Sequence, residues 1–455
     1  MTYPEGAIRS AALHARAKAV MPGGNSRTTV FMRPFPIYAS HGAGCRVWDV
    51  DGVARIDCIN NFTSLIHGYA CPEINAAVAR QLERGTAFGL PTETEIELAE
   101  ILCERLPVVE QVRFCNSGTE AVMTALKAAR AYTGRPKIAK VEGAYHGSYD
   151  YAEVSLDSRP GTWGEATAPR STPYAHGTPP SVLDEVVTLP ANDPEAAAEL
   201  IRRHGPELAA VLLDPMPNRA GLVPLAPAYL AAVRAATREA GVLLIYDEVI
   251  TFRLSPGGAQ GLWGGDPDLT TLGKIIGGGF PVGAVGGRAE VMRVFDPSGG
   301  RPPVPHGGTF SANPVTMAAG VASMRLLDAP AFDALDRRGE AVRAGVREAL
   351  AAAGVEGAVV GAGSLLRVHF TAADVTDYRS AYAEGVSARR LAAFYLGLLN
   401  RGVLAAPTGL MALSTAMTDD DVAEIVAAAR GAAQDAAKIE GDPAGQGASA
   451  ALGDL

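Results

Sequence analysis

Two polar side chains of complementary chemistry stand at the ends of successive apolar runs. The run GVLLIY leads directly into Asp247 and Glu248, and the next strand-like run, DLTTLG, delivers Lys274 before the turn IIGGG. One acid closing a strand is commonplace, but an acid and an amine presented by consecutive strand ends form a usable pair. A lysine amine forms a Schiff base with a carbonyl. In pyridoxal phosphate the ring works as an electron sink only while its pyridine nitrogen stays protonated, which a buried carboxylate enforces. Lys274 and Asp247 suit those two roles.

A phosphate-bearing ligand also needs a cradle. CNSGTEAVMTALKAARAYTG reads as a short strand, a turn at Ser117, Gly118 and Thr119, and a helix. Helix N-termini present unpaired N–H groups and partial positive charge to a phosphate. The same S-G-T-E is also a plain N-cap with its capping-box acid. After KIAKVEGA comes Tyr145, whose face can stack on a planar ligand, with His146 beside it. HGGTFSANP, with Gly308 and Thr309, is a second Gly-rich turn that is either a phosphate donor or a structural turn.

These residues require a scaffold of strand ends. KIAKVEGAYHG, AAVLLDPMPN, GVLLIYDEVI and DLTTLGKIIGGG read as buried parallel strands closed by polar turns, and APAYLAAVRAATREAG reads as a helix closed by glycine. The alternation predicts an α/β fold with a mostly parallel, doubly covered sheet, and ligands bind beyond the carboxyl ends of such strands. Residues 157–178, rich in Pro, Gly, Ser and Thr, interrupt the rhythm and read as a lid or as disordered surface. The tail from Gly441 reads as disordered. The N-terminal segment reads as an amphipathic helix rather than a transit peptide.

At 455 residues, a large domain with a smaller second one is expected. The net charge of −9 gives no basic excess for nucleic acid or an acidic membrane, and no apolar stretch approaches the roughly 20 residues of a membrane-spanning helix. Five cysteines without a C-x-x-C pair read as buried reduced thiols in a cytoplasm, with no metal site.

Taken in order, MPGGNSR, VWDVDG, VRFCNSGTEAV, EGAYHG, YDEV, DLTTLGKIIGGGFPVGAVGG and GGTFSANP resemble the class III aminotransferase family. The resemblance is strongest to its branch of glutamate-1-semialdehyde aminomutase and the β-amino-acid aminotransferases. It spans roughly Met21 to Ala429 and implies a fold type I pyridoxal-phosphate enzyme. It implies that Lys274 forms the internal aldimine, Asp247 pairs with the pyridinium and Tyr145 stacks on the ring. Ser117, Gly118 and Thr119 would form the phosphate loop, with His146 and Asp214 also at the cofactor. Thr309 would serve the phosphate of a neighbouring subunit, which implies a homodimer with shared sites. The small domain would come from both chain ends: residues 1–54 and 331–440 around a large domain of 55–330, with 441–455 as tail.

The chain departs from the family pattern at several places. Asp214 stands where a glutamate is usual, Arg219 is near the position of an asparagine, and Tyr69-Ala70-Cys71-Pro72 replaces His-x-His-Pro. Phe62 matches the aromatic that lines the aminomutase pocket. LAAPTGLMALST has no charged residue, whereas the aminomutase has a substrate-binding glutamate there. Arg27 matches the arginine that holds a carboxylate in the β-amino-acid enzymes. Thr408 stands where those enzymes can place a second arginine, which leaves Arg219 and Arg253 as candidates for that charge. The expected reaction is amino transfer between a β-amino-acid-like donor and a keto acid. An aminomutase using 157–178 as a gate, or a racemase or decarboxylase of the same fold, are the alternatives. GAVVGAGS near Gly357 faintly resembles a dinucleotide loop, and a ligand-sensing protein on this fold is a further reading.

Overall fold

A computed structural model describes residues 2–439, so the tail from Gly441 lies outside the described residues. Its centre is a seven-stranded sheet. From one edge the strands are Gln111–Cys115, Gly283–Gly287, Leu269–Gly273, Leu243–Asp247, Leu208–Leu213, Lys137–Val141 and Val186–Leu189. The last five are mutually parallel. Gly283–Gly287 runs antiparallel to both of its neighbours, which leaves Gln111–Cys115 parallel to the rest. Six carboxyl ends therefore open along one edge of the sheet.

Alternate side chains show that both faces are covered. Ile138, Ala210 and Leu212 pack with Val122, Leu126 and Ala129 of the helix Gly118–Thr133. Their neighbours Ala139, Val141, Val211 and Leu213 pack on the other face with Ile201 of Pro194–His204 and Leu230 and Val233 of Pro227–Ala240. Burying one such aliphatic side chain contributes about 1.5–3 kcal/mol. A few of them match the entire net stability of a typical protein, about 5–15 kcal/mol. Gly241, at φ +63°, ends the last of these helices where a side chain would be strained.

Two small sheets flank this body. One combines Ala39–Ala43, Arg46–Asp49 and Ala54–Asp57 with Val403–Leu404 from the other end of the chain, paired parallel to Ala54–Asp57. That third strand crosses the division expected between residues 54 and 55, and its pairing joins it to the N-terminal segment. The other is antiparallel: Ala358–Val360, Leu365–His369 and Leu410–Ala412. The GAVVGAGS stretch is an edge strand and turn of this sheet, not the strand-to-helix turn that a dinucleotide loop requires.

Residues 157–178 form turns moored to the body, contrary to a disordered surface. Ser155 binds the backbone of Arg170 and Thr172, and Trp163 packs edge-on against Tyr378 and Tyr382. Arg379 pairs with Glu142 at 2.7 Å and also donates to the Trp163 carbonyl. All five cysteines are free; Cys45, Cys58 and Cys115 are buried, while Cys71 and Cys103 are only partly so.

Gly283 is required by close approach, because a Cβ there would overlap the Ser117 carbonyl. Gly283→Ala is expected to destabilise by about 1–3 kcal/mol through overpacking and to lower the calorimetric unfolding midpoint. Gly299→Ala, which meets nothing within 4 Å, is the control expected to leave the midpoint unchanged.

Candidate active site

The sheet's carboxyl edge delivers its polar residues to one cavity of about 360 Å³, within the usual range of small-molecule pockets, about 300–1,000 Å³. Asn116 to Thr119 come from one strand end, Tyr145 to Gly147 from another, and Asp214, Asp247 and Lys274 from three adjacent ones. Pro281 and Val282, just before the antiparallel strand, close the same edge.

Asp247 is buried and its carboxylate is held by three donors: Val249 N–H at 3.1 Å, Thr271 Oγ1 at 3.1 Å and His146 Nδ1 at 2.7 Å. An ionised carboxylate only accepts, so His146 carries its proton on Nδ1. Burial holds His146 below the ordinary histidine range, against the pull of Asp247. Its Nε2 is buried and has no partner among the described residues. Glu248, adjacent in sequence, turns away and accepts from Thr251, Ala259 and Gln260. Only one of the two consecutive acids serves the cavity.

Lys274 follows its strand at φ +49°, a left-handed conformation that costs a non-glycine residue about 1–3 kcal/mol and collects at functional sites. Burial lowers the affinity of its amine for a proton, while Asp247 and Asp214 oppose that shift. Asp214 accepts from Met216 N–H at 2.9 Å. Burial, with the Asp247 charge beside it, pushes Asp214 well above the carboxylate range, so it can remain protonated and donate.

The helix Gly118–Thr133 begins against the cavity. Ser117 Oγ accepts from Glu120 N–H at 3.1 Å, which makes Ser117 a true N-cap. Glu120 reaches back to Asn116 N–H at 2.7 Å, one residue earlier than the usual capping box. The cap leaves the first N–H groups of the helix, on Gly118 and Thr119, without acceptors among the described residues. Cap and phosphate cradle are thus compatible readings of one segment. Free N–H groups at a helix N-terminus, a buried amine, a buried anion and the exposed ring of Tyr145 (42% accessible) fit pyridoxal phosphate.

Thr309 does not line this cavity. It is exposed, although a Cβ on the adjacent Gly308 would come within 3.4 Å of Asn116 Nδ2. No residue of 157–178 lines the cavity of its own chain either.

At the cavity rim Arg27 Nη1 donates to Asn61 Oδ1 at 2.9 Å, and the guanidinium carbon lies 5.9 Å from the Phe62 ring centre. Phe62 packs on Arg27, and the wall is made instead by Asn61 and Ser64. Asn60, Asn61, Phe62 and Thr63 form a left-handed turn with φ of 51°, 47°, 53° and 74°. Such a conformation costs roughly 1–2 kcal/mol per residue, less for asparagine. Several anchors hold it. Asp57 accepts from the N–H groups of Ile59 and Asn60, and Asn60 Nδ2 donates to the Ala412 carbonyl at 2.6 Å. Arg253 Nη1 donates to the Thr63 carbonyl at 3.0 Å.

Arg253 is therefore no candidate for the missing substrate charge. It is fully buried, and it also donates to Ser364 Oγ and to the Leu413 carbonyl. Burial without an anionic partner lowers its pKa to about 9. Arg219 lies outside the cavity lining, against Arg367, which donates to the carbonyls of Asn218 and Thr408. Burial, then the Arg219 charge, brings Arg367 to about 10.

Residues 29–428 match the model of aminotransferase class III. The glutamate-1-semialdehyde 2,1-aminomutase of Methanothermobacter thermautotrophicus is 44% identical over 402 residues, 88% of this chain and 92% of its own. A solved ω-transaminase from Sphaerobacter thermophilus superposes with a TM-score of 0.92 at 54% identity, covering 94% of this chain and 97% of its own. The β-phenylalanine aminotransferase of Variovorax paradoxus does so with a TM-score of 0.84 at 38% identity, covering 94% of each chain. The chain belongs to the class III aminotransferases, pyridoxal-phosphate-dependent enzymes of fold type I.

Proposed function

We propose that the chain is a transaminase that takes an amino group from a carboxylate-bearing, β-amino-acid-like donor and passes it to a keto acid, with Lys274 as its catalytic residue. The observation that carries the donor class is Arg27. Its guanidinium is at the cavity rim, is exposed, and among the described residues has an amide and an aromatic ring for partners but no carboxylate. An arginine held in this way keeps its charge and most of its N–H groups for an incoming carboxylate.

The cofactor, when bound, supplies an electron sink that stabilises negative charge on the substrate carbon. In this reading Gly118 and Thr119 N–H, with Ser117, hold its phosphate, and Tyr145 covers one face of its ring. Asp247 keeps a proton on its ring nitrogen. His146 fixes the Asp247 carboxylate, and Asp214 offers a proton from the oxygen not used by Met216. Lys274 Nζ, whose proton affinity burial lowers, would take the proton that leaves the amine-bearing carbon of the substrate and would deliver it to the cofactor's former aldehyde carbon rather than back to the substrate. Arg27 fixes the carboxylate end, so that this carbon faces Lys274.

A second copy of the chain completes the site in this reading. Phe88, Leu90, Phe280 and Phe310 are exposed, Phe280 lines the cavity, and Asn313 Nδ2 ties the Phe88 loop to the Phe310 turn at 2.8 Å. An apolar surface of that kind beside the cavity suits a homodimer, with Thr309 reaching the phosphate of its partner's site. Residues 1–54 and 331–440 would move as the small domain. Among the described residues no helix is long and apolar enough to cross a membrane, and a cytoplasmic location belongs to the same proposal.

Arg27→Met tests the donor class. KM for 3-amino-3-phenylpropanoate should rise at least tenfold relative to KM for 1-phenylethylamine, which has no carboxylate. An equal change for both donors removes the carboxylate role. Product formed from a single amino aldehyde substrate without any added keto acid would identify an aminomutase instead.

A further inference from the structure

We propose that Asn61 is a positioning residue for substrate carboxylates: carried on the left-handed Asn60–Thr63 turn, its uncharged amide aims the Arg27 guanidinium into the cavity without neutralising it. The inference rests on Arg27 being the carboxylate-binding residue and adds the device that holds it.

Three observations meet at Asn61. Its Oδ1 accepts from Arg27 Nη1 at 2.9 Å, and both residues line the cavity. Its Nδ2 donates to Ser64 Oγ at 3.1 Å, and Ser64 Oγ in turn donates to the Asn61 carbonyl at 3.0 Å, so the amide orientation is fixed with oxygen toward Arg27. Its backbone is left-handed, at φ +47°, within four consecutive residues of that conformation. An extended or right-handed backbone would point this side chain elsewhere. The turn is over-determined by Asp57, Asn60 and Arg253, which act on the residues flanking Asn61 and leave its own side chain free for Arg27.

The amide is the informative feature. Arginine's most frequent strong partner is a carboxylate, which would hold the guanidinium equally well but would cancel the charge a substrate carboxylate needs. An amide oxygen fixes the direction and leaves the charge, and the Phe62 ring covers the guanidinium without competing for its N–H groups. Aspartate and asparagine both tolerate the left-handed region, so Asn61→Asp keeps the turn and the acceptor toward Arg27, adds a negative charge, and replaces the Nδ2 donor to Ser64 Oγ by an oxygen that the Ser64 hydroxyl can donate to.

That substitution separates positioning from scaffolding. In holoenzyme saturated with pyridoxal phosphate, KM and kcat are measured for 3-amino-3-phenylpropanoate and 1-phenylethylamine in wild type, Asn61→Asp, Asn61→Ala and Arg27→Met. The ratio of the two KM values should rise at least tenfold in Asn61→Asp and less in Asn61→Ala, with the change in KM rather than in kcat. If Asn61 only supports the turn, the order reverses, because aspartate is the milder structural change. An Asn61→Asp ratio equal to wild type or below that of Asn61→Ala, with Arg27→Met raised, overturns the proposal and leaves the Arg27 reading standing. An unchanged ratio in Arg27→Met overturns both.

Discussion

Replacing Lys274 by alanine is expected to lower turnover by at least about 10⁴-fold, the upper end of what a positioned proton-transfer group contributes, and to remove the visible absorption of the lysine-bound cofactor. Both losses have one source. Among the described residues Lys274 is the only amine lining the cavity, and Asp247 and Asp214 are its acidic neighbours there. The fold should survive. Alanine keeps a Cβ at φ +49°, so the backbone strain is unchanged, and an amine whose charged form is disfavoured by burial disappears. The unfolding midpoint of the apoprotein should therefore stay level or rise. Small primary amines added to the variant should restore a fraction of the proton transfer. Persistence of either turnover or the absorption band in the variant would rule Lys274 out.

The pairing of Lys274 with Asp247 was legible in the sequence because parallel strands advertise themselves. Each is a continuous apolar run, and the first polar residue after it must emerge at the carboxyl edge. The same logic located Tyr145 and His146, whereas Asp214 came from the family resemblance. That logic named Asp247 rather than Glu248 without the structural reason, which is the helix start at Gly258–Gln260 that captures Glu248. Nor does composition reveal Gly283–Gly287 as a strand. GAVGG has little β-propensity, and the pairing with two apolar neighbours needs glycine at position 283, where the Ser117 carbonyl and Cys115 leave no room for a side chain.

The rim was less legible for a different reason. Asn60-Asn61 permits a left-handed turn but does not require one, and the requirement comes from residues far away in sequence, Arg253 and the Ala412 carbonyl. Arg253 reads from sequence as a substrate contact because an arginine four residues beyond YDEV looks functional until its acceptors are known. All are neutral, and two are backbone carbonyls. Likewise a stretch rich in Pro, Gly, Ser and Thr says nothing about Trp163 and Arg379, the long-range contacts that moor 157–178 away from the cavity.

Asp247→Asn should lower kcat by about 10²–10³-fold, the usual effect of removing one preorganised electrostatic partner, and leave the protein folded. Asparagine has nearly the same shape, and its oxygen can still accept from Val249 N–H and Thr271 Oγ1. What is lost is charge. The carboxylate raises the proton affinity of Lys274 against the effect of burial, so without it the Lys274 pKa falls further. Turnover that requires neutral Lys274 then persists to more acidic conditions, and the acid limb of the kcat profile moves to lower pH. A structural role for Asp247 makes the opposite prediction: a lower unfolding midpoint with kcat and its pH limb in place. The His146 contact sharpens the comparison, because an amide whose oxygen takes the Oδ1 position puts its nitrogen at the Oδ2 position, 2.7 Å from His146 Nδ1. Two donors then face each other unless the imidazole turns or moves its proton to Nε2, which histidine resonances report by NMR. A kcat loss with an unmoved histidine spectrum would assign the whole effect to charge.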